Sequence, residues 1–300
     1  MFIASWPSFK NNFLLSLLLG LISITPLYAQ SNAPILPNTV AEKRLQAIQS
    51  KEATFYNKVE QNSNPLPQSE KLRLAEEIAN DYRSFLQDNP NHLYGYILLG
   101  KFLRQINQKD SANQAFLKAN AIDPKIPVVK QQIGNYLAEI GDYGLALPYF
   151  LNAIELAPEE PLYHYQLGEL LDTFKEDFIK DQIMDYAQLD FQMLKAFQKA
   201  SQLAPNSREL QLRYAQAFFD LHEPQWGRAI AAWNALIKNT KDPYETDYIR
   251  FNQARILTAM ERYTEATQLL SMIKAKALQE NVQKLQKAIQ DKQPQLKLNK

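Results

Sequence analysis

The sequence has 300 residues, 46% of them hydrophobic, which is enough for a sizeable core in one elongated domain or two compact ones. Only eight glycines are present, which argues against β-rich folds and glycine-rich phosphate loops. The lack of cysteine excludes disulfides, thiolate metal sites and cysteine nucleophiles. With 33 basic and 32 acidic side chains the formal net charge is +1, so the chain as a whole carries no excess of positive charge that would attract nucleic acid.

The first 29 residues have the pattern of a secretory signal or an N-terminal anchor. Lys10 precedes an apolar run over residues 13–24, and Pro26 and Ala29 follow it. A helix of this length spans about 18 Å, short of the roughly 30 Å hydrocarbon core of a bilayer. We therefore expect cleavage after Ala29. Without cleavage, residues 13–28 would anchor the chain to a membrane. Both alternatives predict an exported protein, in the periplasm or a comparable lumenal space, unless the anchor is inverted.

Residues 30–68 are interpreted as a linker and an N-terminal helix. The polar segment 31–38 contains two prolines, and the apolar spacing after it predicts a helix over about 39–61. A second helix is predicted over about 69–87, inside a capping half-repeat at 69–92. It ends before Pro90, because proline disfavours the α conformation in the residue that precedes it.

From residue 93 the sequence repeats at a spacing of 34 residues. The recurring positions of the first helices are Leu99, Gly100 and Leu103, then Ile133, Gly134 and Leu137, then Leu167, Gly168 and Leu171. Those of the second helices are Ala112, Phe116, Ala119 and Pro124, then Ala146, Phe150, Ala153 and Pro158. Each unit is therefore predicted to contain two amphipathic helices and a proline-marked turn, with small residues where the backbones of the two helices approach closely.

This pattern resembles that of the tetratricopeptide repeat family, whose unit is a 34-residue helix–turn–helix. The resemblance covers about 93–273 and implies an all-α solenoid with flanking helices. The implied units are 93–126, 127–160, 161–205 with an insertion near 174–186, 206–243 and 244–273, followed by a capping helix at 274–291 and a basic tail at 292–300. Met193 replaces the alanine expected opposite Gly168, which predicts a wider helix crossing in the third unit.

The sequence contains no pattern typical of a catalytic, metal or cofactor site. His92 is interpreted as a helix cap or a solvent-exposed residue, His164 as a packing residue, and His222 as part of a turn. No dinucleotide-binding, phosphate-loop, esterase or metalloprotease motif is present. We therefore expect no enzyme activity, no cofactor and no metal ion. The less favoured alternative is an enzyme or small-ligand binder with its site in the groove.

The resemblance implies a protein-binding groove lined by the first helix of each unit. The predicted groove residues are Tyr94, Ile97, Lys101, Arg104, Gln131, Asn135, Tyr165, Glu169, Asp172, Tyr248, Phe251 and Arg255. Their mixture of tyrosine, amide and charge suits a protein or peptide partner, since aromatic side chains add contact area at low entropic cost. The convex faces and edges of the array are the alternative binding surfaces. The first three units lack the cationic set with which some family members hold a chaperone's C-terminal carboxylate, so that role is not expected.

Charge is distributed unevenly along the chain. Residues 172–190 hold six acidic residues against two lysines, a net charge of −4, and residues 274–300 hold seven lysines against two acidic residues, a net charge of +5. An insertion in a repeat array often lies on a binding face. The basic end is interpreted as a solvated helix with a frayed end. Contact with anionic lipid or an acidic partner is the alternative.

These features predict an extracytoplasmic scaffold for protein–protein interaction. Assembly of an envelope or membrane complex is the expected setting by analogy with the family. The alternative is a membrane-tethered adaptor that keeps its N-terminal helix.

Overall fold

The computed structural model describes residues 39–60, 66–238 and 240–298. The described residues form two compact units, here called the N-terminal unit (up to Pro158) and the C-terminal unit (from Glu159). Every regular element in these described ranges is a helix, with no strand, which confirms the predicted all-α fold. The predicted signal or anchor at 1–29 and the linker at 31–38 lie outside the described residues.

The N-terminal unit contains six described helices. They are α1 (Val40–Glu60), α2 (Gln68–Asp88), α3 (Leu93–Gln105), α4 (Lys109–Ile122), α5 (Pro127–Glu139) and α6 (Tyr143–Leu156). Each helix packs against the next one along the chain. The apolar faces of α1 to α5 meet in one core, in which Tyr82, Phe85 and Phe102 are completely enclosed. Stacked helix pairs therefore build this unit.

The C-terminal unit continues with helix pairs and a short additional helix. Its helices are α7 (Pro161–Thr173), α8 (Lys175–Lys180), α9 (Tyr186–Leu203), α10 (Arg208–Ala217), α11 (Trp226–Ile237), α12 (Pro243–Ala259), α13 (Tyr263–Ser271), a 3₁₀ turn (Lys276–Leu278) and α14 (Gln279–Leu298). The short helix α8 occupies the insertion predicted near 174–186, and α7 packs against α9. Helix α14 runs beyond the predicted end at residue 291, into the segment predicted to be a basic tail.

Helices α1 and α2 form an antiparallel pair. Arg44 lies 2.5 Å from Asp88, and Lys51 lies 2.7 Å from Asp81, so the partner number falls as the number along α1 rises. The segment 69–92 was predicted from sequence as a half-repeat. In the structure α2 has a full partner in α1. Both helices contain 21 residues, longer than the helices of the 34-residue unit, which is why the spacing did not indicate a pair.

In three helix pairs a glycine of the first helix faces a phenylalanine ring of the second. The pairs are Gly100 with Phe116, Gly134 with Phe150, and Gly168 with Phe197. A Cβ atom added to these glycines would lie 2.8, 3.3 and 2.6 Å from the ring, respectively, where an ordinary carbon contact is about 3.5–4.0 Å. The small residue thus makes room for a ring rather than for a neighbouring backbone. The atoms nearest to Gly168 belong to Phe197 and not to Met193, although Met193 is fully buried.

Three helix pairs turn through a residue in the left-handed conformation. These residues are Asn107 (φ 64°), Gly141 (φ 87°) and Glu261 (φ 59°). In each turn the following backbone N–H donates to the carbonyl five residues earlier at 2.8 Å; the bonds are Gln108 to Leu103, Asp142 to Leu137, and Arg262 to Leu257. This is the hydrogen bond that closes a Schellman motif at a helix C-terminus. The chain therefore leaves the first helix of each of these pairs with the same backbone conformation.

Candidate functional site

Helix α3 carries the first four predicted groove residues in the N-terminal unit. Tyr94 is 41% exposed, whereas Ile97 is only 9% exposed and belongs to the core. Lys101 and Arg104 are half-buried. The Arg104 guanidinium donates two hydrogen bonds to the Glu139 carboxylate on α5. Tyr94 and Lys101 therefore keep surface for a partner, and Lys101 forms no ion pair within the described residues.

Helix α1 adds a polar cluster that no sequence pattern indicated. The Tyr82 hydroxyl donates to the Glu52 carboxylate at 2.6 Å, and the Tyr56 hydroxyl donates to the side-chain oxygen of Gln105. Burial raises the pKa of Glu52, and the positive charge of Lys101 acts in the opposite direction. The row of polar side chains on α3 is thus bordered by Glu52 on α1.

Several predicted groove residues are buried instead of lining an open surface. Gln131 and Asn135 on α5 are 2% and 5% exposed, and Gln131 accepts a hydrogen bond from Gln132 at 2.8 Å. The buried residues of the predicted set are Ile97, Gln131, Asn135, Tyr165, Glu169 and Phe251. Helical spacing identified their helices correctly but overestimated their exposure, because it does not reveal how closely neighbouring helices enclose them. Whether any predicted groove residue contacts a partner stays a prediction.

Glu169 and Asp172 surround an arginine in the C-terminal unit. Arg213 on α10 donates from Nε to Glu169 and from Nη2 to Asp172 at 2.9 Å. Its guanidinium carbon lies 4.1 Å from the centroid of the Phe197 ring. Burial alone would lower the pKa of Arg213, but the carboxylates of Glu169, Asp172 and Asp220 raise it. Both predicted groove carboxylates are therefore engaged in an internal ion cluster, where neither is free to act as a general base.

This ion cluster was missed because its members are far apart in sequence. Burial raises the pKa of Glu169, and the Arg213 charge opposes that effect. A signal was available: acidic residues at 169 and 172 stand on one helix face, and an arginine follows on the first helix of the next unit. Leaving Glu169 unpaired at 5% exposure would be costly, since buried charges need partners.

The insertion is fixed to the turn between α10 and α11. The ammonium group of Lys175 donates to the Asp190 carboxylate at 2.6 Å and to the Asp220 carbonyl at 2.8 Å. The other Asp190 oxygen accepts the His222 backbone N–H at 2.7 Å, and the rings of Tyr186 and His222 stack with centroids 4.0 Å apart. The insertion therefore holds a defined position in the C-terminal unit, and its other acidic side chains are exposed.

Helix α12 carries the last three predicted groove residues. The hydroxyl oxygen of Tyr248 accepts a hydrogen bond from Gln216 at 3.0 Å. The guanidinium carbon of Arg255 lies 4.0 Å from the centroid of the Phe219 ring, whereas Phe251 belongs to the core. Tyr248 and Arg255 are half-buried, so both retain surface.

The histidines have structural roles. The Nδ1 atom of His92 accepts the Gly95 backbone N–H at 3.0 Å, which confirms the predicted helix cap. His164 is 9% exposed, as expected of a packing residue. In the part of the chain that the structure describes, no three His, Cys, Asp or Glu side chains are grouped in a way that could hold a metal ion.

Within residues 39–60, 66–238 and 240–298, no helix combines the length and the apolar character that a membrane span requires.

Comparison with known proteins identifies the repeat. One tetratricopeptide repeat model matches residues 93–126, and another matches residues 132–176. No curated protein matches the sequence.

Solved structures with similar folds include tetratricopeptide repeat proteins. YrrB, described as a TPR protein with an unusual peptide-binding site, is 18% identical, with a TM-score of 0.52 over 65% of this chain and 91% of YrrB. The C-terminal part of a TPR repeat-containing protein from Cytophaga hutchinsonii is 19% identical, with a TM-score of 0.53 over 78% of this chain and 93% of that one. PilF of Pseudomonas aeruginosa is 16% identical, with a TM-score of 0.51 over 83% and 99%. At these identities the likeness concerns the fold alone. The two repeat matches show that the chain contains tetratricopeptide repeats, and the stacked helix pairs have the fold of such proteins.

Proposed function

We propose that this chain is an extracytoplasmic scaffold that binds a protein or peptide partner along the first helices of its repeats. The tetratricopeptide fold is a protein-interaction fold, and its consecutive units present side chains in a row. The observation that carries the proposal is the surface that the first helices retain after packing. In the N-terminal unit Tyr94 keeps 41% of its surface exposed, and Lys101 is half-buried without an ion pair among the described residues.

The polar groups on these helices fit a binding surface better than a catalytic site. Glu169 and Asp172 are bonded to Arg213, and Arg104 is bonded to Glu139. Catalysis would need groups that converge on a substrate with a proton to give or take. Glu169, Asp172, Arg213, Arg104 and Glu139 instead neutralise each other within the fold. Recognition of an extended partner needs only the exposed tyrosine, lysine and arginine edges.

A row of exposed apolar side chains on the second helices is the rival surface. Leu117 and Leu151 are 42% and 48% exposed, and they occupy the same repeat position, 34 residues apart. Ile122 and Leu156, also 34 apart, are 37% and 38% exposed. Recurring apolar positions of this kind can mark an interaction face as well. The two surfaces make opposite predictions for a crosslinking experiment.

Site-specific photo-crosslinking in the cell separates the two surfaces. A photoreactive phenylalanine analogue replaces Tyr94 on α3 in one variant and Leu117 on α4 in another. These positions match in exposure, at 41% and 42%, but lie on different helices of the same pair. Adducts of one defined partner at position 94 and none at 117 support the proposal. Adducts at 117 and none at 94 would move the binding surface to the second helices.

The proposed location is outside the cytoplasm, with a membrane-tethered adaptor as the alternative. The basis is the apolar run at residues 13–24, followed by Pro26 and Ala29. The setting that we propose is the assembly of an envelope or membrane complex.

Mass spectrometry of the N-terminus, with cell fractionation, tests the location. The full gene is expressed in a bacterial host. A mature chain that starts at Gln30 in the soluble periplasmic fraction supports a secreted scaffold. An intact Met1 in an alkali-resistant membrane fraction supports the tethered adaptor. A chain with an intact Met1 in the cytoplasmic fraction would refute both forms of the proposal.

A further inference from the structure

Arg255 is a half-buried cation that has no carboxylate within ion-pair distance among the described residues. Ten arginines lie in the described residues, and eight of them have a carboxylate oxygen within 4.0 Å. The two without one are Arg228 and Arg255. Arg228 is exposed, so water solvates its charge, whereas Arg255 is half-buried on α12. A shielded charge that lacks a partner is unfavourable, and the arrangement is stabilised when an anion binds.

The fold holds the Arg255 guanidinium in a fixed orientation. Its central carbon lies 4.0 Å from the centroid of the Phe219 ring, and Nη1 donates to the side-chain oxygen of Asn252 at 2.9 Å. Burial lowers the pKa of Arg255, and Tyr248 and Asp220 oppose this effect only in part. The Asp220 carboxylate contacts Arg213, at 3.5 Å. Most of the N–H donors of Arg255 thus have no acceptor within the described residues.

A second donor stands on the same face of α12. Tyr248 precedes Arg255 by seven residues, which is two helical turns, and long helical side chains lean towards the N-terminus. The Tyr248 hydroxyl oxygen already accepts a hydrogen bond from Gln216 at 3.0 Å. Its own proton has no acceptor in the part of the chain that the structure describes. One face of α12 therefore carries a charged planar donor, Arg255, and a neutral hydroxyl donor, Tyr248.

We propose that Arg255 and Tyr248 bind a carboxylate group of a partner protein, seated against the Phe219 ring. This inference rests on the proposed protein-binding function and gives it a chemistry in the C-terminal unit. A guanidinium group matches a carboxylate in shape and can donate two parallel hydrogen bonds to it. A phosphate carries close to two negative charges, and Asp220 would repel it more strongly than a carboxylate.

The carboxylate can come from a glutamate or aspartate side chain or from the C-terminus of the partner. Three blocked amino acids of nearly the same size distinguish these sources. N-acetyl-glutamate amide carries only a side-chain carboxylate, and N-acetyl-glutamine carries only a terminal carboxylate. N-acetyl-glutamine amide carries neither and is the neutral control.

The experiment follows the side-chain Nε–Hε resonance of Arg255 by NMR in the full chain at neutral pH and constant ionic strength. The resonance is assigned by its loss in the Arg255→Gln variant, and circular dichroism verifies that this variant is folded. We expect at least one carboxylate compound to shift the resonance in a saturable manner, with a dissociation constant at least about tenfold below that of the neutral compound. Tyr248→Phe should weaken this binding by about two- to tenfold.

Two controls distinguish binding at Arg255 from a general effect of carboxylates on arginine side chains. The Arg228 resonance should change little, because that side chain is exposed. Arg255→Lys should keep weaker binding, since it retains the charge but loses the planar fork. Equal effects of all three compounds, or carboxylate binding that persists in Arg255→Gln, would overturn the inference. Preference for phenyl phosphate over both carboxylates would also overturn it. None of these outcomes depends on the crosslinks at position 94, so failure of the carboxylate site is distinguishable from failure of the proposed function.

Discussion

Replacing Gly168 by alanine tests whether the phenylalanine ring limits the size of the residue at the helix crossing. The added Cβ would lie 2.6, 2.7 and 2.8 Å from three atoms of the Phe197 ring. That ring is 1% exposed, with the Arg213 guanidinium 4.1 Å from its centroid and the Tyr165 ring 6.2 Å away. The ring therefore has little space into which it can move. The matched control is Gly134→Ala, where the corresponding distance to Phe150 is 3.3 Å.

Two effects of opposite sign determine how much each substitution changes the free energy of unfolding. Alanine is favoured over glycine inside a helix by about 0.5–1 kcal/mol. Overpacking a buried site costs about 1–3 kcal/mol. At Gly168 the overlap is close to 1 Å, so overpacking should dominate and destabilise the protein by about 1–2 kcal/mol. At Gly134 a shift of a few tenths of an ångström suffices, so the change should be neutral or stabilise by up to about 1 kcal/mol.

Urea unfolding, followed by circular dichroism, measures both variants. A third variant, Gly168→Ala combined with Phe197→Leu, removes the ring that causes the overlap. We expect this double variant to be more stable than the sum of the two single changes implies. Equal stability of Gly168→Ala and Gly134→Ala, or a loss at Gly168 that is independent of residue 197, would contradict a steric limit set by the Phe197 ring.

Three further predictions concern charged groups. Arg213→Met should destabilise the protein by about 3–5 kcal/mol in urea unfolding, because Glu169 is left buried without its partner, and adding Glu169→Met should recover most of the loss. Glu52→Gln should raise the free energy of unfolding at pH 7 but not below about pH 4.5. The fold raises the pKa of Glu52, so it favours the neutral carboxyl group, and the stabilisation from that neutral group is lost as pH rises through the raised pKa. In urea unfolding across pH, a stability difference between variant and parent that does not change with pH would contradict this prediction. Lys175→Met should speed amide hydrogen exchange in the insertion, whereas Lys180→Met, on the same helix but exposed, should not; equal exchange in the two variants would contradict the role assigned to the Lys175 contacts.

Much of the fold could be predicted from the sequence because repeat units are encoded by local periodicity. The recurrence of Gly100, Gly134 and Gly168 located three helix pairs, and the break from 34 to 47 residues between Pro158 and Pro205 located the insertion. Each of these signals arises from contacts within one repeat, so it can be read from a single sequence. The helix at about 39–61 was predicted, but its pairing with α2 was not, because the long helix α1 does not share the residue pattern of the repeat units that follow.

The candidate site was less predictable, because the exposure of a helix face depends on neighbouring helices. Glu169 and Asp172 have the same sequence signature as solvent-exposed groove residues. The structure places Arg213 between them, and that arginine comes from another helix pair. Arg255 was predicted as a groove residue, but the absence of an ion-pair partner for it among residues 39–60, 66–238 and 240–298 depends on the packing of other helices, which one sequence does not reveal.

The turns at Asn107, Gly141 and Glu261 suggest how such a chain can diverge without changing its architecture. All three turns form the same 2.8 Å backbone hydrogen bond, yet only one uses glycine, the residue that adopts positive φ at no steric cost. A side chain at this position costs about 1–2 kcal/mol. Because the backbone bond fixes the turn, mutation can replace the glycine and the helix pair still closes. A repeat can thus lose its recognisable sequence long before it loses its shape, at the expense of a small stability margin at each substituted turn.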